Sequence, residues 1–118
     1  VRPTAAAIGP QIQDTFGAAY KSGVKIAFGT DAGVSPHGAN GKEFRFMVEA
    51  GMPVIEAIQS ATVNAADLLN VEDELGQIAP GFHADIVAFN ENPLEDVRVL
   101  ERPDSVMKAG AVFRHDGE

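Results

Sequence analysis

The sequence predicts an α/β chain organised in two parts. Apolar residues at three- and four-residue spacing dominate residues 1–70, which also hold one short apolar segment bounded by glycines, 24–30. The pattern changes near residues 71–75, and short extended segments separated by turns fill residues 71–118. One strand among helices makes a poor sheet, because an apolar strand requires strands on both sides. We therefore expect the chain to be a piece of a larger fold.

The first part begins with a helix. Apolar spacing predicts a helix over residues 5–22, but Pro10 is expected to break or kink it. The helix is therefore predicted at residues 11–22, with Pro10 in its first turn and Gly23 after its end. Residues 24–30 are apolar and partly β-branched, which predicts a strand with at least one buried face. The glycine-rich residues 32–41 predict a loop.

Three helices are expected after this loop. The first runs from Lys42 to Ala50, with Phe44, Met47 and Val48 facing inward. The second begins at Pro53, and the third is a short helix that ends near Leu69, capped by Thr62 or Asn64.

The pattern of the second part predicts a small β unit. We expect Ala84–Phe89 to form a buried strand and Leu94–Leu100 to form one or two helical turns. Ser105–Lys108 and Ala111–Arg114 alternate around Ala109-Gly110, which is typical of a tight hairpin.

Composition excludes several functional classes. The 118 residues include no cysteine, so disulfides and thiolate sites are excluded. The net charge of −8 lies entirely in residues 67–118, which argues against nucleic acid and anionic membranes as partners. No apolar stretch reaches the ~18 residues of a membrane span. The sequence begins at Val1 rather than Met, so we expect further residues upstream. We expect a cytoplasmic location, and a signal peptide in the upstream residues is the alternative.

Two loop residues are candidates for chemistry. Asp31 follows the predicted strand and precedes glycines, which is where barrel and α/β enzymes keep catalytic carboxylates. An aspartate that caps the following turn explains the same position equally well. His37 follows Pro36 in the same loop, and either a surface role or a contact to substrate or metal suits it.

Other polar residues have structural explanations. Glu43 suits the first turn of a helix, and substrate orientation is the alternative for Glu43 and Arg45. Asp85, inside an apolar strand, is expected to accept backbone hydrogen bonds. His83 and His115 read as surface residues.

Several motifs resemble the amidohydrolase superfamily, in its order and spacing. The match runs from about residue 14 to near the end of the chain and is similar to the imidazolonepropionase-related branch, which includes metal-dependent Xaa-Pro and Xaa-Arg dipeptidases. The motifs that carry it are VKIAFGTDAG at 24–33, His37-Gly38, Glu43, Gly51-Met52-Pro53, Asn64-Ala65-Ala66, Ala84-Asp85-Ile86-Val87 and Asn92-Pro93-Leu94.

The resemblance implies a fold and a chemistry. The family builds a (β/α)₈ barrel and a small β-sandwich from both chain ends. Residues 1–70 would then be the last strand and closing helices of the barrel, and residues 71–118 a share of the sandwich. Asp31 matches the aspartate that binds metal and acts as general base, and His37 matches a loop histidine near substrate. Zinc lowers the pKa of a bound water to about 7, which suits such a base.

The chain also departs from the family pattern. The His-x-His pair, the lysine and the further histidines that hold the metals have no match, and the length is below the ~200 residues of a complete barrel. One carboxylate does not bind zinc usefully, so we expect an inactive C-terminal fragment with no metal of its own.

The implied activity is hydrolysis of C–N bonds in dipeptides or related amides by the full-length enzyme, with one or two divalent metals. Two alternatives stay open: deamination or cyclic-amide hydrolysis, and an acidic binding or assembly module without catalysis. The expected partners are a small-molecule or dipeptide substrate and further copies of the chain, because a lone fragment exposes strand edges and apolar faces.

Overall fold

Four helices precede a small sheet along the chain. The computed structural model describes the backbone of residues 5–29 and 41–115 and the side chains of residues 13–29 and 41–113. The elements are α1 (Ala5–Lys21), α2 (Lys42–Glu49), α3 (Val54–Ala61), α4 (Val63–Leu68), β1 (Ile86–Ala88), a 3₁₀ helix (Val97–Glu101), β2 (Ser105–Lys108) and β3 (Ala111–His115).

Helix α1 is longer than predicted. It begins at Ala5 instead of residue 11, so Pro10 lies inside the helix. A proline removes one i→i−4 hydrogen bond, and a helix of four to five turns keeps the others. The end agrees with the prediction: Gly23 has φ +88°, and its N–H donates to the carbonyl of Tyr20 at 3.0 Å.

The core lies between α2, α3 and the residues that flank them. Met47, Met52 and Ala57 are 5%, 3% and 0% exposed. The predicted inward face of α2 is confirmed, since Phe44 and Val48 pack on this cluster beside Met47. Its other neighbours are Phe16, Tyr20, Ile26 and Phe28.

The segment after α1 differs from its prediction. Residues 24–30 were expected to form a strand with at least one buried face, but the structure has no strand at residues 24–29. A strand is defined by hydrogen bonds to a neighbour, and no strand of the described part of the chain lies beside this segment. The apolar pattern correctly indicated burial only for Ile26 and Phe28, which pack on the core.

The three strands form one antiparallel sheet in the order β1-β2-β3. Met107 is opposite Ile86 on one side and Val112 on the other, and a bulge interrupts the β2–β3 register between Val106 and Met107. The predicted strand 84–89 is shortened to three residues and is not buried, since Val87 is 50% exposed. The predicted hairpin is confirmed: Ala109 and Gly110 have φ of 50° and 82°, the two positive values that a tight type I′ turn requires.

The predicted helical turn within 94–100 is a 3₁₀ helix that packs on α2. Asp96 caps it, with Oδ1 accepting from the backbone N–H of Arg98 at 3.0 Å. Gly41, just before α2, comes so close that a Cβ there would lie 2.6 Å from the carbonyl oxygen of Leu100. This contact joins the helices to the segment that connects β1 and β2.

Candidate functional site

Both candidate site residues lie outside the described residues. Asp31 and His37 belong to residues 30–40, which connect Gly29 to Gly41. Their roles stay predictions from the sequence. What the structure describes is the frame that holds the two ends of this segment, called here the site frame: residues 24–29 on one side and Gly41 with α2 on the other.

The entry side of the site frame is tied to α3 and α4. The backbone N–H of Phe28 donates to the carbonyl of Ser60 at 2.9 Å. The side-chain amide of Asn64 donates to the carbonyl of Ile26 at 3.4 Å. Ser60 is fully buried, so this attachment is shielded from water. The extended segment is thus held by helices in place of a neighbouring strand.

Asn64 and Thr62 do not act as the predicted side-chain caps. Thr62 does occupy the N-cap position of α4, but no side-chain cap hydrogen bond forms there. Its hydroxyl donates instead to the carbonyl of Ile58 at 3.0 Å, one turn back in α3. Because α3 runs almost directly into α4, the hydroxyl finds an acceptor in the preceding helix. The Asn64 side chain instead contacts the backbone of Ile26, which capping preferences do not predict.

An aromatic pair joins the two sides of the site frame. The rings of Phe28 and Phe44 stack with centroids 4.4 Å apart and an interplanar angle of 22°. Phe28 precedes residues 30–40 and Phe44 follows them, so the pair brings both ends of the segment together. Stacked aromatic pairs contribute about 0.5–1.5 kcal/mol beyond area burial.

The exit side begins at Gly41 and continues into α2. Glu43 lies in the first turn of α2, as predicted from the helix dipole. Arg45 lies two residues on, with its guanidinium 5.6 Å from the Phe46 ring centroid and 3.8 Å from Oε2 of Glu101. The alternative that Glu43 and Arg45 orient substrate remains a prediction.

Asp85 has the structural role that the sequence predicts. Its Oδ1 accepts from the backbone N–H of Ala109 at 2.8 Å, in the β2–β3 turn, and Lys108 lies 3.6 Å from Oδ2. The Ala109 hydrogen bond, supported by the Lys108 charge, lowers the pKa of the Asp85 carboxyl below its usual value. His83 is exposed, as expected, and the side chain of His115 lies outside the described residues.

One polar pair was missed by the sequence analysis. The hydroxyl of Tyr20, on α1, donates to a carboxylate oxygen of Glu56, on α3. This hydrogen bond raises the pKa of the Tyr20 hydroxyl. The two residues are far apart in the sequence and belong to separate predicted helices, so no local spacing indicated the contact.

The described residues do not fit a metal centre. Among residues 5–29 and 41–115, no group of three or more His, Asp or Glu side chains converges as a metal ion requires. Asp31, the residue predicted to bind metal, lies between these ranges. Within the same ranges, no helix combines the length and apolar character of a membrane span.

Comparisons with known proteins agree on one family. The model of the Amidohydrolase family matches residues 5–113. Ochratoxinase of Aspergillus niger is 42% identical over 104 residues, which cover 84% of this chain and 21% of that protein. Adenine deaminase 1 of Latilactobacillus sakei is 36% identical over 69 residues, or 58% of this chain and 12% of that protein.

Solved structures give the same result. The crystal structure of a Xaa-Pro dipeptidase with bound methionine in the active site superposes with a TM-score of 0.88 and 58% identity, over 93% of this chain and 27% of that chain. The A. niger ochratoxinase structure has a TM-score of 0.74 and 39% identity, over 89% and 25%. The chain therefore spans between 12% and 27% of the length of these relatives. From the sequence match and the shared structure, we conclude that this chain belongs to the amidohydrolase family.

Proposed function

We propose that this chain is the C-terminal part of a metal-dependent amidohydrolase that hydrolyses C–N bonds, with dipeptides of the Xaa-Pro type as the substrate class. The observation that carries the proposal is the 58% identity and TM-score of 0.88 to the Xaa-Pro dipeptidase over 93% of this chain. Relatives that act on C–N bonds support the reaction type. In this assignment residues 1–70 complete a barrel and residues 71–118 contribute to a β-sandwich.

Asp31 is the proposed metal ligand and general base, and His37 is the proposed substrate-binding residue. Zinc is the proposed metal. The His-x-His pair, the lysine and the further histidines of the family pattern have no match in this sequence, so the remaining ligands are proposed to come from outside this chain. The chain alone is therefore proposed to be inactive. A homo-oligomeric state and a cytoplasmic location complete the assignment.

The site frame explains how this chain would serve such a site. The stacked Phe28 and Phe44 rings and the Phe28–Ser60 hydrogen bond fix the two backbone ends that lead into residues 30–40. A catalytic carboxylate must be held within a fraction of an ångström of its working position. Fixing the backbone on both sides of residues 30–40 would therefore help to hold Asp31 in place.

The first experiment measures the purified 118-residue chain. Its intact mass, its zinc content and its hydrolysis of methionyl-proline are determined with and without EDTA. The proposal expects a mass near 12.4 kDa, no stoichiometric zinc and no hydrolysis. Hydrolysis that EDTA abolishes would refute the proposal that the chain is inactive alone.

The second experiment tests Asp31 in the longer polypeptide that contains this chain. Asp31→Asn removes the proposed base and is expected to lower kcat by at least about a hundredfold. Asp73→Asn is the matched control, because it makes the same chemical change at an exposed turn residue and is expected to leave kcat unchanged. Full activity of Asp31→Asn would favour the non-catalytic binding or assembly module.

Deamination is the second candidate. The 36% identity to adenine deaminase 1 over 69 residues favours it, and it uses the same family frame. The longer polypeptide is assayed against adenine and against methionyl-proline under the same conditions. Turnover of adenine without turnover of the dipeptide would replace the dipeptidase assignment.

A further inference from the structure

A cavity of about 520 Å³ lies between the start of α2 and the 3₁₀ helix. Although the chain has a net charge of −8, four basic and two acidic residues line this cavity among the side chains that the structure describes. The basic residues are Lys42, Arg45, Arg98 and Arg102, and the acidic residues are Asp96 and Glu101.

Asp96 is already neutralised by a neighbour. Its two carboxylate oxygens accept from Nε and Nη2 of Arg98, each at 3.1 Å, and Oδ1 also accepts from the Arg98 backbone N–H. Arg98 lowers the pKa of the Asp96 carboxyl, so this pair stays ionised and contributes no net charge to the cavity at neutral pH.

Glu101 and Arg45 balance one another. The Glu101 side chain is 17% exposed, and its Oε2 is buried without a hydrogen-bond donor in the described part of the chain. Arg45 Nη1 lies 3.8 Å from this oxygen, which is too long for a hydrogen bond but close enough for charge compensation. Holding Arg45 against a buried carboxylate makes it unavailable to a ligand.

In the described part of the chain, Lys42 and Arg102 form no close ion pair, although Arg102 contributes weakly to lowering the pKa of the Asp96 carboxyl. Neither has a carboxylate within 4.0 Å among the described residues, although each lines the same cavity. Lys42 lies at the start of α2, and Arg102 follows the 3₁₀ helix. The four basic and two acidic side chains that line the cavity together carry a net charge of +2. The acidic surface elsewhere is screened beyond about 8 Å at physiological salt.

We propose that this cavity binds a small phosphate monoester, separately from the C–N hydrolysis assigned above. A phosphate monoester carries about −1.5 to −2 charges at pH 7, which matches the net charge of +2 on the side chains that line the cavity. The Arg102 guanidinium provides a planar fork for two phosphate oxygens, and Lys42 provides a point charge. The volume lies within the roughly 300–1,000 Å³ of small-molecule sites, so it leaves room for an organic group beside the phosphate.

The test titrates the purified chain with glycerol 3-phosphate by calorimetry at low ionic strength, with inorganic phosphate and succinate as comparison ligands. We expect one saturable site for glycerol 3-phosphate. The double variant Lys42→Ala/Arg102→Ala is expected to weaken binding by at least about tenfold, since it removes two charge-assisted contacts. The matched control Lys21→Ala/Lys25→Ala removes the same charge outside this cavity and is expected to change the Kd less than about twofold.

Four results would overturn the proposal. They are no saturable binding of glycerol 3-phosphate, equal loss of binding in the control variant, unchanged binding in Lys42→Ala/Arg102→Ala, and tighter binding of succinate. Inorganic phosphate that binds as tightly as glycerol 3-phosphate would overturn the inference that the organic group is recognised. If the double variant loses its helical circular dichroism, Arg102→Gln replaces it, with a loss of at least about threefold expected. These binding results do not depend on dipeptide hydrolysis.

Discussion

Gly41 allows α2 to approach the 3₁₀ helix, and Gly41→Ala is expected to destabilise the chain. Its φ of −63° suits alanine, so the added methyl group brings no backbone strain. The conflict is one of space: the new Cβ would lie 2.6 Å from the Leu100 carbonyl oxygen and 2.9 Å from the Glu101 Cα. Real Cβ contacts essentially never fall below 3.0 Å, and both neighbours are backbone atoms that no side-chain rotation can move.

The expected cost follows from these distances. Overpacking of this kind costs about 1–3 kcal/mol, and the lower entropy of the unfolded alanine chain returns about 0.4–1 kcal/mol. The net expectation is a loss of about 1–2 kcal/mol in the free energy of unfolding, measured by urea denaturation followed by circular dichroism.

Gly29→Ala is the matched control at the other end of the site frame. A Cβ at residue 29 would meet no atom of the described residues within 4 Å, and the φ of Gly29 lies outside the left-handed range. This variant is expected to be unchanged or stabilised by up to about 1 kcal/mol. Equal stability of Gly41→Ala and Gly29→Ala would refute the packing of α2 on the 3₁₀ helix as described.

Three further outcomes are expected. Because the Asp85 carboxyl has a pKa below its unfolded value, the folded state binds fewer protons than the unfolded state, and the stability that Asp85 contributes is lost as the pH falls below about 4 and through the folded pKa. Asp85→Asn should reduce this acid dependence in urea denaturation. Met47→Ala, at a core position 5% exposed, should cost about 2–5 kcal/mol by the same measurement. Phe113→Lys, at a position 73% exposed, should shift the chain toward monomer in light scattering.

Each of these outcomes has a control or a contradicting result. An Asp85→Asn variant with the parent's full loss of stability between about pH 5 and pH 3 would contradict the Ala109 hydrogen bond as its source. Leu68→Ala, at a position 70% exposed, should stay within about 0.5 kcal/mol, and a cost equal to that of Met47→Ala would contradict the assigned core. If Phe113→Lys has the same assembly state as the parent chain, the exposed Phe113 side chain is not the cause of association.

The helices were the most predictable part of the fold. The bounds of α2, the inward position of Met47 and the glycine after α1 all follow from spacing within a few residues. The strand predicted at 24–30 failed because ladder formation depends on a distant partner. Periodicity recognised the buried side chains of Ile26 and Phe28, but it cannot supply a neighbouring strand.

Only part of the candidate functional residues could be identified from the sequence. Asp31 and His37 were identified in this way, and they stay predictions because they lie outside the described residues. The charged cavity was found only in the structure, since Arg45 and Arg102 belong to different predicted units. Their proximity depends on the packing of Gly41 against the 3₁₀ helix, which no local pattern indicates.

The stacked Phe28 and Phe44 rings have a consequence for how such a chain can evolve or be engineered. The stacked rings bring the two ends of residues 30–40 together, and neither ring belongs to that segment. With the stem fixed, doubling the length of the connection costs only about 0.6 kcal/mol in closure entropy. Loops of other lengths could therefore be grafted between Gly29 and Gly41 while the helices below keep their packing. If His37 binds substrate as proposed, exchange of residues 30–40 alone is expected to change substrate preference at little cost to folding.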